Sequence, residues 1–406
     1  MKNVLIWGAG VWGRKAFDIL SPYKDAYHIV AFGDNDSNKI GKMFCNRPVW
    51  GIDMLEQDKQ INLIVIAAFA AKMAEEIRKQ LEKVVLIPIY AYDDIVNQLL
   101  LPRISIDISG FCNAKCKWCV TGRKNRRGKS TGKKEFMSYD FFKRLYDHLI
   151  EETIIMHDTE IMLYSWGEPL LNPDYIRIIE YLAEKRQVFS VSTNASVAPL
   201  AKKTDTYRDC VAFTFSMSGF SQQSYDRIHQ LRFEKVKENV KRLVDNMYSC
   251  GFHGDGSLSW HVYRFNMHEM PAAREFAKSL NLRFNAYYPY FNGLSLTQEY
   301  MEGKLVDEQD DIESDFIFDH VDRLLKERPE DYPCYLEHVI SIDHKGRIVL
   351  CCASDEECRD FVWNPVGSQE ELWMLRKQMM QCGTCRMCRK LHFDYWIVNN
   401  PRFGDA

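Results

Sequence analysis

The stretch Ile104 to Val120, ISIDISGFCNAKCKWCV, decides how the rest of the chain is read. Its opening residues alternate apolar and polar side chains, the two-residue period of a strand with one face buried. Cys112, Cys116 and Cys119 follow at once in the spacing Cys-x3-Cys-x2-Cys. Three thiolates this close suit a soft metal, either an iron-sulfur cluster or zinc, better than disulfides. A structural zinc wants four ligands, and no nearby His or further Cys completes the set, since the next cysteine is Cys210. Three ligands on a four-iron cluster leave one iron open. A zinc knuckle and a trio of buried thiols are the alternatives.

The chain has 406 residues, more than one core usually organises, so two or three domains are expected. With 46% hydrophobic and 27% charged residues the composition is that of an ordinary globular protein. The longest apolar run, Leu63 to Ala71, is too short to cross a bilayer, and the opening MKNVLIWGAG has no small-residue cleavage site. The expectation is a cytoplasmic protein without membrane association. In a reducing compartment its 13 cysteines point to metal or redox chemistry, not to a disulfide framework. A net charge of -3 argues against broad nucleic-acid binding, which needs a basic excess.

Residues 1–100 alternate short apolar runs with helical patterns, which predicts a small α/β domain with a parallel sheet. Gly8, Gly10 and Gly13 form G-x-G-x-x-G between the first strand and the first helix, and Asp34 ends the next strand. Such glycines let backbone N–H groups and a helix N-terminus approach a phosphate. The segment resembles the short Rossmann-like domains that accompany sugar-modifying enzymes. That resemblance implies a nucleotide or nucleotide sugar as ligand; a domain that keeps the fold and only positions partners is the alternative.

Leu101 and Pro102 read as a joint, and a second α/β domain is expected over 103–310, with the cysteines at the carboxyl end of its first strand. The polar segment GRKNRRGKSTGKK carries Arg123, Lys124, Arg126, Arg127, Lys129, Lys133 and Lys134. It reads as a solvated loop, or as one that draws a phosphorylated substrate towards the cluster. A helix from Tyr139 to Glu151 precedes a strand that ends at Trp166, Gly167, Glu168 and Pro169, and a later strand ends at Ser192, Thr193 and Asn194. Ser216 and Ser218 close the strand after that. About six strand-helix units follow from Arg103, fewer than a closed eightfold barrel needs.

The cysteine spacing, with Trp118 just before the last Cys, resembles the radical SAM superfamily. In that family the open iron is chelated by the amino and carboxylate groups of S-adenosylmethionine. Trp166, Gly167, Glu168 and Pro169 stand where the family has Gly-Gly-Glu-Pro, the turn that hydrogen-bonds the methionyl amino group; Trp166 replaces the first glycine and reshapes the pocket wall. Ser192, Thr193 and Asn194 match the family's contacts to the methionyl carboxylate and ribose, and Ser216 falls at the mouth. The resemblance implies an open, partial (β/α)6 TIM barrel and a flavodoxin- or ferredoxin-type electron donor.

Residues 311–406 form a charged connector and a cysteine-rich α+β tail. DHKG between two β-rich runs signals a hairpin that brings Cys334 and Cys351 onto or beside adjacent strands. Cys334, Gly346 and Cys351 obey Cys-x11-Gly-x4-Cys, which resembles the SPASM or shorter twitch extension of radical SAM enzymes. That resemblance implies one auxiliary [4Fe-4S] cluster held by Cys334, Cys351 and two of Cys382, Cys385 and Cys388; a zinc ribbon with the same thiols is the alternative. Cys352 and Cys358 read as spare or buried thiols, and Cys45, Cys210 and Cys250 as structural.

The function these resemblances imply is radical hydrogen abstraction from a small molecule, most simply dehydrogenation of an alcohol on a sugar, aminocyclitol or nucleotide-linked sugar. Arg264 and Tyr288, on the last two predicted strands, are the catalytic candidates: Arg to stabilise a developing alkoxide, Tyr to relay its proton. Sugar epimerisation is the nearest rival and needs a thiol donor, Cys210 or Cys250. Peptide modification and a regulatory iron-sulfur or zinc protein are the remaining alternatives.

Overall fold

The computed structural model describes residues 1–68, 70–128, 134–305, 309–316, 328–329, 332, 334–355, 362–363, 367–399 and 403. The chain divides into two compact units. The first comprises Met1–Pro102 with the short pieces Ile150–Ile155 and Ser368–Glu370. Its strands are β1 (Lys2–Trp7), β2 (Tyr27–Gly33), β3 (Met43–Phe44), β4 (Arg47–Trp50), β5 (Leu63–Ile66) and β6 (Ile89–Ala91), in the order β3-β4-β2-β1-β5-β6. All neighbours pair in parallel except β3 and β4. Parallel strands are covered on both faces and so read as unbroken apolar runs. β5, LIVI, is buried throughout. Leu5, Trp7, Ala31, Ile64, Ile66 and Leu81 belong to the core between sheet and helices.

The second unit holds Arg103–Leu149, Met156–Gly367 and Glu371–Ala406. β7 (Arg103–Ile106), β8 (Glu160–Met162), β9 (Phe189–Thr193), β10 (Cys210–Ser216), β11 (Asp255–His261) and β12 (Arg283–Tyr287) lie side by side in chain order, all parallel. Helices Tyr175–Glu184, Phe233–Ser249 and Met270–Ser279 connect successive strands. Between β9 and β10 the chain crosses without an α-helix, so the repeat is less regular than the strand-helix pattern expected. The tail continues the sheet: β13 (Ile340–Ile342) runs parallel beside β7, and β14 (Ile348–Val349) and β15 (Val362–Trp363) follow antiparallel. The DHKG turn closes the β13-β14 hairpin, with Gly346 at φ 76°.

Register gives this sheet two different faces. Ile104, Ile161, Phe189, Val191, Phe213, Phe215, Leu258 and Trp260 share the apolar face and are buried. The alternate residues are mostly polar: Ser105, Ser190, Ser192, Thr214, Ser216, Ser257, Ser259 and His261, with Met162 and Ala212 among them. A period of two puts them all on the other face. That face is polar yet carries no Lys, Asp or Glu in the carboxyl-terminal half of β9, β10 or β11.

Candidate active site

The three cysteines stand on the loop after β7, and neighbouring groups fix its backbone. Asn125 donates from Nδ2 to the carbonyls of Cys112 (2.8 Å) and Ala114 (2.7 Å). Arg126 donates to the carbonyls of Lys115, Arg227 and Ile228. Lys117 pairs with Asp311 at 2.9 Å and Asp315 at 3.0 Å. The Asn292 N–H donates to the Trp118 carbonyl at 2.8 Å, while the Asn292 carbonyl accepts from Val120 at 3.1 Å. Trp118 is buried, edge-on to Phe291 and Phe316 with centroids 5.8 and 5.0 Å away, so it anchors the loop in an apolar cluster.

The helix Val120–Arg126 occupies much of what reads in sequence as a solvated basic loop. Arg123, Lys124 and Arg126 lie in its last turn, where cations oppose the negative end of the helix dipole. Arg123 is buried and pairs with Glu299 at 3.4 Å. Lys129 and Lys133 lie outside the described residues.

Burial, with the like charge of neighbouring thiolates, raises the Cys112 thiol well above its usual range and Cys116 to about 12; burial raises Cys119 too. Thiols so placed ionise only when a cation joins them. Asn194 Nδ2 stands 3.6 Å from the Cys112 sulfur, and the Cys116 sulfur lies 3.2 Å from His229 Nδ1. No group of three His, Cys, Asp or Glu side chains among the described residues meets the geometry of a single metal ion.

The Trp166-Gly167-Glu168 turn is locked to β7 and β9. The Trp166 and Gly167 N–H groups donate to Asp107 Oδ2 at 2.9 and 3.2 Å. A Cβ on Gly167 would lie 1.6 Å from the Ser109 carbonyl oxygen, so only glycine fits. Glu168 is buried and accepts from Leu170 N–H (3.1 Å) and Thr193 Oγ1 (2.6 Å) at Oε1, and from Asn194 N–H (2.7 Å) at Oε2. Burial raises its carboxyl to about 7 against those three donors. Asn194 also donates to Asn113 Oδ1 at 3.2 Å, and Ser196 donates to the same oxygen at 3.1 Å. Cys112, the Glu168 turn and the end of β9 therefore meet, while Ser192 and Ser216 lie on the polar face beside them. Trp166 is half-buried against the apolar cluster that holds Trp118.

Arg264 and Tyr288 are placed differently from expectation. Arg264 lies beyond the end of β11, exposed, with Nε donating to the Phe316 carbonyl at 2.7 Å. Tyr288 follows β12, and its ring packs edge-on to Phe403 at 5.1 Å. Cys210 begins β10 and Cys250 follows the helix Phe233–Ser249, so both sit towards the amino ends of the strands, away from the triad. His229 and His261 are residues that spacing alone misses: His229 reaches the Cys116 sulfur only through tertiary packing, and His261 stands on the polar face at the end of β11. Burial lowers His261 to about 4, leaving its imidazole neutral near pH 7, and its ring meets Tyr290 edge-on at 5.6 Å.

In the tail, Cys334, Cys351, Cys385 and Cys388 line one cavity together with Arg376 and Asp394. Cys385 and Cys388 are one turn apart on the helix Gly383–Lys390, and Cys382 is its N-cap residue. Cys382 is not among the lining residues. Cys358 lies outside the described residues.

In the first unit a cleft of about 600 Å³ is lined by Gly8, Gly10, Trp12, Asp34, Lys39 and Ala68, among others. Gly8 has φ 122°, and a Cβ on Gly13 would lie 1.9 Å from the Gly8 carbonyl oxygen, so the fold itself demands both. Gly10 has no left-handed φ, and no atom of the described residues beyond its chain neighbours lies within 4 Å of where a Cβ would be. Asp34 Oδ2 accepts from the Ala9 N–H and from Lys39, each at 2.9 Å.

Residues 106–258 match the family model described as the Radical SAM superfamily. Among curated proteins the chain is similar to GTP 3',8-cyclase of Edwardsiella ictaluri (strain 93-146), 22% identical over 151 residues, 37% of this chain and 43% of that one. It is also similar to GTP 3',8-cyclase of Vibrio atlanticus (strain LGP32), 24% identical over 183 residues, 45% of this chain and 52% of that one. The chain thus spans about half the length of the curated relatives it matches. Among solved structures, Streptococcus suis SuiB bound to S-adenosylmethionine aligns with a TM-score of 0.45 at 12% identity, over 82% of this chain and 81% of that one. Among the described residues no helix is long and apolar enough to cross a membrane. The residues that match this family model carry the cysteine loop, the Glu168 turn and the strands β9 and β10.

Proposed function

We propose that the chain is a radical SAM enzyme in which Cys112, Cys116 and Cys119 hold a [4Fe-4S] cluster. Trp166, Gly167, Glu168, Ser192, Thr193, Asn194 and Ser216 then shape the S-adenosylmethionine pocket. The observation that carries this reading is the Glu168 carboxylate, which ties the Gly-Glu-Pro turn to the end of β9 while Asn194 reaches Cys112. The bound pair supplies a 5'-deoxyadenosyl radical, which abstracts hydrogen from an unactivated carbon. The protein's share is orientation and exclusion of water.

For the reaction, dehydrogenation of an alcohol on a sugar, aminocyclitol or nucleotide-linked sugar agrees best with the polar face of the second sheet. Hydroxyls and an imidazole hydrogen-bond a neutral polyol without demanding charge from it. Oxidation also removes the hydroxyl proton, and His261 is the neutral base on that face. It takes the role sought in Arg264 and Tyr288, which point elsewhere. The shared cavity of Cys334, Cys351, Cys385 and Cys388 supports an auxiliary [4Fe-4S] cluster in a twitch-like tail, as acceptor for the second electron. A flavodoxin- or ferredoxin-type protein would supply the first.

The first unit is read as a Rossmann-like domain for a nucleotide or nucleotide sugar, supported by Gly10. Nothing among the described residues requires glycine there, whereas close approach of a ligand's phosphate to the backbone would. A second reading takes its substrate class from the curated relatives: a guanosine nucleotide acted on by intramolecular bond formation.

Anaerobic reconstitution, followed by S-adenosylmethionine, dithionite and either a candidate nucleotide sugar or GTP, tests these readings. Appearance of 5'-deoxyadenosine with a sugar product lighter by two hydrogens supports dehydrogenation. One solvent deuterium in a product of unchanged oxidation state supports epimerisation, and turnover of GTP supports the second reading. Absence of 5'-deoxyadenosine under every condition overturns the enzyme assignment.

A further inference from the structure

His229 is not a member of any motif, yet its ring meets a triad sulfur directly. Its ring is buried, with Nδ1 at 3.2 Å from Cys116 Sγ. The other nitrogen is already taken: the Ser218 backbone N–H donates to Nε2 at 3.2 Å. A nitrogen that accepts carries no proton in the neutral ring, so the proton of this imidazole is on Nδ1, aimed at sulfur.

The surroundings hold both partners in place. The Asn266 amide donates to the Ser218 carbonyl at 3.0 Å, and the Ser218 hydroxyl accepts from the His261 N–H at 3.1 Å. The His229 backbone accepts from Lys115 N–H at 2.9 Å, Ile228 accepts from Lys117 N–H at 3.1 Å, and Arg126 grips the Arg227 and Ile228 carbonyls from the same side. The segment carrying His229 is thereby laced to the segment carrying Cys116. The donor facing Cys112 is weaker, the Asn194 amide at 3.6 Å.

We propose that His229 is a positioning residue which donates an Nδ1–H···S hydrogen bond to Cys116 and so raises the reduction potential of the cluster held there. This rests on the triad being a cluster site. A donor to a ligating sulfur withdraws charge from it, and the reduced, more negative state gains more from that than the oxidised state does. Because electron entry precedes all later chemistry, His229 governs how readily the donor protein can load the cluster.

The test uses the reconstituted full chain. Redox-poised EPR follows the reduced signal that S-adenosylmethionine perturbs, which separates the open-iron cluster from any in the tail. His229→Phe is expected to lower the midpoint, weakening the reduction equilibrium about tenfold, a shift of roughly 59 mV for one electron. His229→Asn, which keeps a donor near the Nδ1 position, recovers part of it. A wild-type midpoint in a fully loaded His229→Phe protein overturns the proposal. Should that variant fail to load, pulsed EPR of wild-type protein labelled with 15N-histidine decides: a 15N coupling on the reduced cluster that His261→Gln retains supports it, and absence of coupling overturns it. No such cluster in the wild-type chain defeats instead the function proposed above.

Discussion

His261 ends β11 on the face that alternation reserves for polar side chains, and burial rather than a charged neighbour holds it neutral. The sign of its contribution follows from linkage. A histidine whose folded pKa lies near 4, below its unfolded value of about 6.5, binds fewer protons when folded than when unfolded between those limits. The stability it permits is complete above pH about 6.5 and declines as pH falls towards 4. Thermal unfolding of His261→Gln against wild type between pH 7.5 and 5 checks this: the variant should lose less stability over that range. Equal slopes would show that the ring is solvated.

The glycines of the first unit divide in the same residue-by-residue way. Gly13→Ala pushes a methyl group onto the Gly8 carbonyl and should destabilise the chain by about 1–3 kcal/mol. Gly10→Ala meets open space and should change stability by less than about 0.5 kcal/mol. Its effect should appear in calorimetry with nucleotide sugars, where binding seen in wild type is lost. Undiminished binding would separate Gly10 from the ligand.

At the level of elements, the helix Val120–Arg126 and the cysteine loop are packed backbone to backbone at Gly122. A Cβ there would lie 2.2 Å from the Cys116 carbonyl oxygen and 2.4 Å from its amide nitrogen. Gly122→Ala must lift the helix off the loop, taking with it the Asn125 and Arg126 contacts that hold Cys112, Ala114 and Lys115. The expected outcome is a folded protein by circular dichroism that incorporates markedly less iron at the triad. Full incorporation would show that the loop keeps its shape without the helix. The sequence makes the strands legible because their signal is local: β5 is an unbroken apolar run, and β9, β10 and β11 alternate. The helix after Cys119 was obscured by its own basic residues, since charge density reads as solvation until the fold supplies Glu299 and the carbonyls of Arg227 and Ile228. Arg264 and Tyr288 illustrate the converse: both lie past the ends of β11 and β12, at positions whose parity falls off the polar face.

Across the whole molecule, two groups of thiols stand in different settings. The triad lies on one loop, within eight residues, and was visible from spacing. The tail brings Cys334 and Cys351 from either side of a hairpin to one cavity with Cys385 and Cys388 from one helix, a grouping that spacing does not show. The two groups share no cysteine: Asn194 and His229 stand at the triad sulfurs, while Arg376 and Asp394 line the tail cavity. Replacing Cys112, Cys116 and Cys119 with Ala together should therefore remove about four irons per chain and abolish cleavage of S-adenosylmethionine, by the stoichiometry of a [4Fe-4S] cluster. The tail should keep its own four-iron cluster in the same variant. Iron and acid-labile sulfide analysis with Mössbauer spectroscopy measures both. Retained cleavage would remove the triad from the chemistry, and stoichiometric zinc without sulfide in the tail would establish a zinc ribbon there, leaving the second electron of a dehydrogenation without an acceptor in the protein.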